Sequence, residues 1–183
     1  MSIRFNYKNN TSGKPINNIV LFTDEKFNTV NLKKYISNQE YSYLNDLLKT
    51  GDLKKSLLVF EVSSKKKIIL ISIKKNLEKS DVENLGAEFY AYINHGNKSE
   101  FAINIKSIKS EIEDFIGHFL HGLKLKSYEF NIYKSKKENK LFSIDVIGNK
   151  NKITIKNELR FKAIEEGTFF ARDLVSEPPN VLN

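Results

Sequence analysis

KIILISIKKNLEKSDVENLGAEFYAYINHGNKSEFAINI, residues 67–105, decides the fold. It opens with KIILISI, a nearly continuous apolar run of the kind found in strands buried on both faces. SDVENLGAEFYAYIN follows, with Ser80 placed to cap a helix and Glu83 three residues on, the pattern of a capping box. Val82, Leu85, Phe89 and Ile93 form one apolar stripe at helical spacing. FAINI, residues 101–105, then reads as another strand. A strand, a helix and a strand in succession indicate a layered α/β domain.

The same rhythm extends in both directions. Upstream, SLLVFEV (56–62) is a second nearly continuous apolar strand, likewise expected to be buried on both faces, joined to KIILISI through the turn SSKKK. NQEYSYLNDLLK (38–49) has helical spacing through Tyr41, Leu44, Leu47 and Leu48, and Gly51 stands where a C-terminal cap belongs. Residues 1–7 and NIVLFT (18–23) read as short strands, with NNTSGKP as the turn between them. Downstream, Ser110 and Glu113 suggest a second capping box. Ile112, Phe115, Ile116, Phe119, Leu120 and Leu123 behind it make the clearest amphipathic pattern in the chain. LFSIDVIG and KITIK (152–156) read as late strands. A last helix runs from Glu158 to about Val175, before Pro178 and Pro179. The expected architecture is a layered, largely parallel or mixed sheet flanked by helices. Residues 1–157 form the α/β domain, and residues 158–183 form a C-terminal connector helix with the start of a linker.

Composition narrows the function classes. The chain has 183 residues, 28% of them charged, and no cysteine, so it has neither a disulfide framework nor a Cys-based zinc site. No apolar run approaches a membrane span, and MSIRFNYKNN lacks the apolar stretch of a secretory signal. The expected location is cytoplasmic. The net charge of +8 invites a nucleic-acid reading, yet only Arg4, Arg160 and Arg172 of the 30 basic residues are arginine. Lysine supplies point charges and lacks the planar fork that reads guanine. Lys, Asn and Ile also share A/T-rich codons. The lysine clusters at 65–67, 74–75 and 136–137 fall on separate turns and strand ends. Any DNA binding is expected to be weak, non-specific and steeply salt-dependent.

No catalytic constellation is visible. The chain contains no G-x-G-x-x-G, no G-x-x-x-x-G-K-[ST] and no G-x-S-x-G. Asp114, His118 and His121 share the polar face of the amphipathic helix at i, i+4 and i+7, and two imidazoles with a carboxylate could hold a metal. A solvated helix face is the favoured reading, since no fourth ligand or base accompanies them. No catalytic, cofactor-binding or metal-binding residue is assigned in this chain.

Two late stretches carry a family resemblance. EGTFFARDLVSEPPNVLN is similar to the segment that joins the two domains of the leucyl aminopeptidases, or cytosol aminopeptidases. There a helix with a pattern like A-R-D-L-V-N leads through P-x-N-x-L into the catalytic domain. Ala171, Arg172, Asp173, Leu174, Val175, Pro178, Asn180, Val181 and Leu182 match, and Ser176 stands where Asn is usual. HGLKLKSYEFNIYKSKK resembles the family's G-x-x-L-x-x-Y-x-F-x-x-Y-K-x-K stretch through Gly122, Leu125, Tyr128, Phe130, Tyr133, Lys134 and Lys136. The resemblance is specific over 121–183, while over 1–120 only the α/β rhythm supports it.

The resemblance implies an N-terminal, non-catalytic domain that is macro-domain-like in fold. The parent would be a metal-dependent aminopeptidase that removes N-terminal amino acids from peptides with two divalent ions, zinc or manganese. Those ions would be held in a catalytic domain outside this chain. It further implies a supporting or assembly role, a homohexameric parent, and the catalytic domain as the main partner. The alternative is a nucleic-acid-binding module that uses the Lys-rich surface. Macro domains bind ADP-ribose through glycine-rich loops, whereas the eight glycines here are scattered.

Overall fold

The computed structural model describes residues 2–9, 17–51, 53–97, 99–134, 141–148 and 155–178. Six strands form one sheet: β1 (Ser2–Lys8), β2 (Asn18–Asp24), β3 (Leu57–Glu61), β4 (Lys67–Ile73), β5 (Glu100–Asn104) and β6 (Leu141–Ile147). Their spatial order is β1-β6-β5-β2-β4-β3. All neighbours are parallel except β3, which pairs antiparallel with β4 along the edge. The expected mixed α/β layer is therefore present. β1 and β2, read as short strands with a turn between them, are both present but not paired: β1 lies at the far edge beside β6. Most of NNTSGKP lies outside the described residues.

Among the described residues there are four α-helices: α1 (Asn38–Thr50), α2 (Lys79–His95) and α3 (Phe115–Lys126) pack on the sheet, and α4 (Ile155–Ser176) lies on α3. β4 is buried over six of its seven residues, as its unbroken apolar run requires, whereas β3, expected to be buried likewise, has only Phe60 buried because it lies at the edge of the sheet. On one face, Val20, Phe22, Ile69 and Ile71 pack with Phe89, Ile93, Phe119 and Leu123 of α2 and α3. On the other, Ile19, Leu21, Ile68 and Leu70 pack with Leu44 of α1 and with Leu32. α2 and α3 meet almost backbone to backbone. A β-carbon added at Gly86 would lie 1.9 Å from the Phe119 carbonyl oxygen, and one at Gly122 would lie 1.9 Å from that of Glu83.

Helix starts depart from the expected caps. α1 has a complete capping box, Ser37 with Glu40, which the spacing analysis missed. α2 begins at Lys79 behind Glu78, whose N–H donates to Asp81 Oδ2 at 2.9 Å. The box is thus shifted two residues from Ser80 and Glu83. Glu83 instead faces α3, where its Oε1 lies 2.8 Å from His118 Nδ1. The second expected box is absent because α3 starts only at Phe115. Asp114 stands before it in left-handed conformation (φ 56°), so Ser110 and Glu113 precede the helix. Burial raises the Asp114 carboxyl above its ordinary pKa. KITIK does not end as a strand: Ile155 and Lys156 belong to α4, while 152–154 lie outside the described residues. Pro179 to Asn183, with the linker matches Asn180, Val181 and Leu182, also lie outside them.

Candidate docking face and the polar seam beneath it

The polar face of α3 is covered, not solvated. His118 and His121 are only 8% and 5% exposed. α4 crosses above them and places Phe161 against both imidazoles, edge-on to His118 and stacked on His121 at 4.8 Å. His121 Nδ1 lies 2.9 Å from Glu165 Oε1, and Lys124 Nζ reaches Glu165 Oε2 at 3.2 Å. Each imidazole is thus committed to a carboxylate on a different helix, Glu83 of α2 or Glu165 of α4. Among the described residues no group of three or more His, Cys, Asp or Glu could hold a metal. These residues do not fit the two-metal centre that the resemblance implies, and no metal step is derived through them. The sequence carries one signal for this burial: Glu165 sits four residues after Phe161, so the ring and the carboxylate share one side of α4.

The seam continues to the end of α4. Tyr128 donates its hydroxyl to Asp173 Oδ1 at 2.8 Å, and its ring packs on Phe169. Arg172 Nη1 donates to the Leu125 carbonyl at 2.8 Å. That oxygen belongs to the last turn of α3, where carbonyls have no partner within the helix. The guanidinium thus satisfies one of them and complements the negative end of the helix dipole. Arg172 also lies over the Tyr128 ring, 5.4 Å from its centroid. Tyr133 donates to Glu177. Desolvation, then the hydrogen bond to Asp173, pushes the Tyr128 phenol pKa up. Gly122, Leu125, Tyr128 and Tyr133 come from one of the stretches that carry the family resemblance, and Arg172 and Asp173 from the other. The structure joins the two as opposite sides of one seam.

The outer side of α4 is different in character. Leu159 (63%), Ile164 (42%), Phe170 (65%), Leu174 (42%) and Val175 (88%) are exposed. Sequence spacing groups Phe161 with Ile164, Ala171 and Val175, but the helix separates them: Phe161 turns inward and the other three outward. Ala163, Ile164, Gly167, Thr168, Ala171 and Val175 line a shallow, mostly apolar groove beside Tyr128. Among the described residues nothing lies within 4 Å of where a Gly167 β-carbon would be. Isolated exposed apolar residues are ordinary, but a contiguous stripe along one helix marks an interaction surface. No helix of the described residues is long and apolar enough to cross a membrane.

Known proteins share this fold. The model of the cytosol aminopeptidase family N-terminal domain matches residues 19–137. That span takes in HGLKLKSYEFNIYKSKK (121–137) and ends before EGTFFARDLVSEPPNVLN (166–183). A probable cytosol aminopeptidase of Dinoroseobacter shibae is 39% identical over 67 residues, covering 37% of this chain and 14% of that protein. The bottromycin maturation enzyme BotP superposes with a TM-score of 0.64 at 11% identity, over 92% of this chain and 34% of its own. The cytosol aminopeptidase of Coxiella burnetii gives 0.59 at 12% identity, over 98% and 34%. The chain therefore spans about a third of the length of these solved structures. By the family match over more than half its length, this chain belongs to the cytosol aminopeptidase family and matches the N-terminal domain of that family.

Proposed function

We propose that this domain is a non-catalytic support for a metal-dependent leucyl aminopeptidase, whose catalytic domain docks along the outer side of α4. The parent would remove N-terminal amino acids from peptides in the cytoplasm. Its two divalent ions, zinc or manganese, would be held by the catalytic domain, and the assembly would be a homohexamer. Two nearby metals polarise a scissile carbonyl and activate water together.

The observation that carries the reading is Gly167. It stands inside a 22-residue helix, where glycine costs about 1 kcal/mol relative to alanine. No described neighbour requires its missing side chain. A partner backbone approaching the groove would require it, and the exposed apolar residues around it supply the area such a partner would bury.

The face can be tested without disturbing the fold. Gly167→Ala is expected to raise the stability of the chain by up to about 1 kcal/mol while weakening its binding to the catalytic domain. Phe170→Glu with Val175→Glu should change stability by no more than about 0.5 kcal/mol per site. The same pair should weaken docking by about 2 kcal/mol or more, as loss of a central apolar anchor does. Calorimetric titration of the catalytic domain into each variant reads this. Unchanged affinity for both variants would remove α4 from the interface.

The chemistry has its own check. The purified chain is expected to release nothing from leucyl-amide substrates with added manganese or zinc. Metal-dependent turnover that survives further purification would contradict the non-catalytic role.

The nucleic-acid alternative gains no focus from the lysines. Lys66 and Lys67, before and at the start of β4, pair with Glu40 and Glu61 at 2.5 Å. Lys74 and Lys75 lie past its other end, about 23 Å away for a seven-residue strand. Lys136 and Lys137 lie outside the described residues.

A further inference from the structure

The carboxyl ends of the parallel strands hold a cavity that docking along α4 does not use. β2 and β5 run together for only two residue pairs, Ile19–Ala102 and Val20–Ile103. β2 continues beside β4 to Asp24, whereas β5 stops at Asn104 and turns away through a 3-10 turn, Ile105–Ser107. From β2 the chain proceeds through α1, on one face, to the β4 side of the sheet. From β5 it proceeds through α3, on the other face, to β6. Neighbouring strands whose connections part in this way leave a crevice beyond their carboxyl ends, the place where open α/β sheets hold ligands. Ser107 ties the split together, accepting from the Phe22 N–H at 2.9 Å and donating to the Asn104 carbonyl at 2.7 Å.

The crevice has a volume of about 1060 Å³, the size of a pocket for an organic molecule and far beyond a single ion. Thr23 stands in its wall. It is 7% exposed, and its hydroxyl oxygen is buried, closed off from the crevice and without a hydrogen-bond partner among the described residues. Lys74, Lys75 and Lys109 line the crevice from exposed positions, and none forms an ion pair among the described residues. Two carboxylates also line it. Asp24 Oδ1 already accepts from the N–H groups of Lys26 and Asn28, and Glu111 is the other. The helix starts nearby are committed: the Glu78 N–H meets the Asp81 carboxylate, and the Asp114 carboxylate lies over the first turn of α3 beside Gly117. An anion in the crevice would therefore be held by side-chain charge.

We propose that this crevice binds a small phosphorylated molecule of about mononucleotide size, with its phosphate drawn to Lys74, Lys75 and Lys109. Without a glycine-rich cradle, charge supplies most of the attraction, and binding weakens as salt rises.

Calorimetry and amide chemical shifts on the whole chain, with AMP, ribose 5-phosphate and adenosine as probes, test this. AMP and ribose 5-phosphate are expected to bind and to shift the amides of Thr23, Asn76 and Ser110, while adenosine does not. Each of Lys74→Gln, Lys75→Gln and Lys109→Gln should weaken AMP by up to about fivefold, the worth of one charge at 4 Å in water. All three positions are exposed, so the fold is kept. Adenosine binding as well as AMP, full AMP affinity in the triple lysine variant, or no binding of either phosphate compound at about 10 mM would overturn the proposal.

Discussion

Replacing either Gly86 or Gly122 by alanine is expected to lower the stability of the domain by about 3 kcal/mol or more, the upper range for overpacking. Propensity alone predicts the opposite sign, because alanine in a helix interior is favoured over glycine by about 1 kcal/mol. Contact decides it. The new methyl at 86 would lie 1.9 Å from the Phe119 oxygen and 2.9 Å from the Leu123 nitrogen. The new methyl at 122 would lie 1.9 Å from the Glu83 oxygen and 2.6 Å from its Cα. All of these are backbone atoms, which cannot swing away as a side chain can. The helices must separate, and separation opens the core that Phe89, Ile93, Phe119 and Leu123 fill between them and the sheet. Against a usual total stability of about 5–15 kcal/mol, either change is severe. Urea unfolding reads it, and midpoints equal to or above that of the parent for both variants would mean that the helices are not this close. Gly167→Ala is the control with the opposite sign, since its methyl meets nothing in the described chain.

Phe119→Ala is expected to cost about 3–5 kcal/mol, the range for removing a buried aromatic ring. Phe119 is fully buried. Its ring meets Phe22 edge-on at 5.4 Å and Phe89 at 5.9 Å, so it links β2, α2 and α3. Losing two ring pairs, each worth about 0.5–1.5 kcal/mol beyond area, adds to the cavity left behind. Phe115, 4% exposed at the first residue of α3, makes one such pair, at 5.6 Å with Phe22. Its truncation should cost less. An unfolding midpoint unmoved by Phe119→Ala would show that the inner face of α3 is wrongly assigned.

Much of this architecture is legible in the sequence where pattern and packing coincide. The stripe from Phe115 to Leu123 is buried, and Ile112 packs against the same cluster. SLLVFEV and KIILISI pair as an antiparallel hairpin. The failures have local causes. Ser80 and Glu83 have capping-box spacing, but Glu83 is taken by His118 on a neighbouring helix, and the cap falls to Glu78 and Asp81. The histidines look solvated because periodicity reports only which face is polar. What covers that face is Glu165, 44 residues away. β1 and β2 are close in sequence yet lie apart in the sheet, since strand order depends on the crossovers. The cavity at the strand ends is lined from 22–32, 73–77 and 107–112, and no single stretch announces it. The two stretches that carry the resemblance are readable separately. Their contact through Tyr128, Arg172 and Asp173 needed the fold.

The most direct test of the docking account is amide hydrogen exchange along α4, with and without the aminopeptidase catalytic domain. Alone, the chain should exchange fastest where α4 is exposed, around Gly167, Ala171 and Val175. Its seam residues, near Phe161 and Glu165, should be slower because they are tied to α3. Added catalytic domain should slow exchange across 163–175 and leave α1, on the opposite face of the sheet, unchanged. No slowing along α4 at saturating catalytic domain, or slowing confined to α1, would contradict the account.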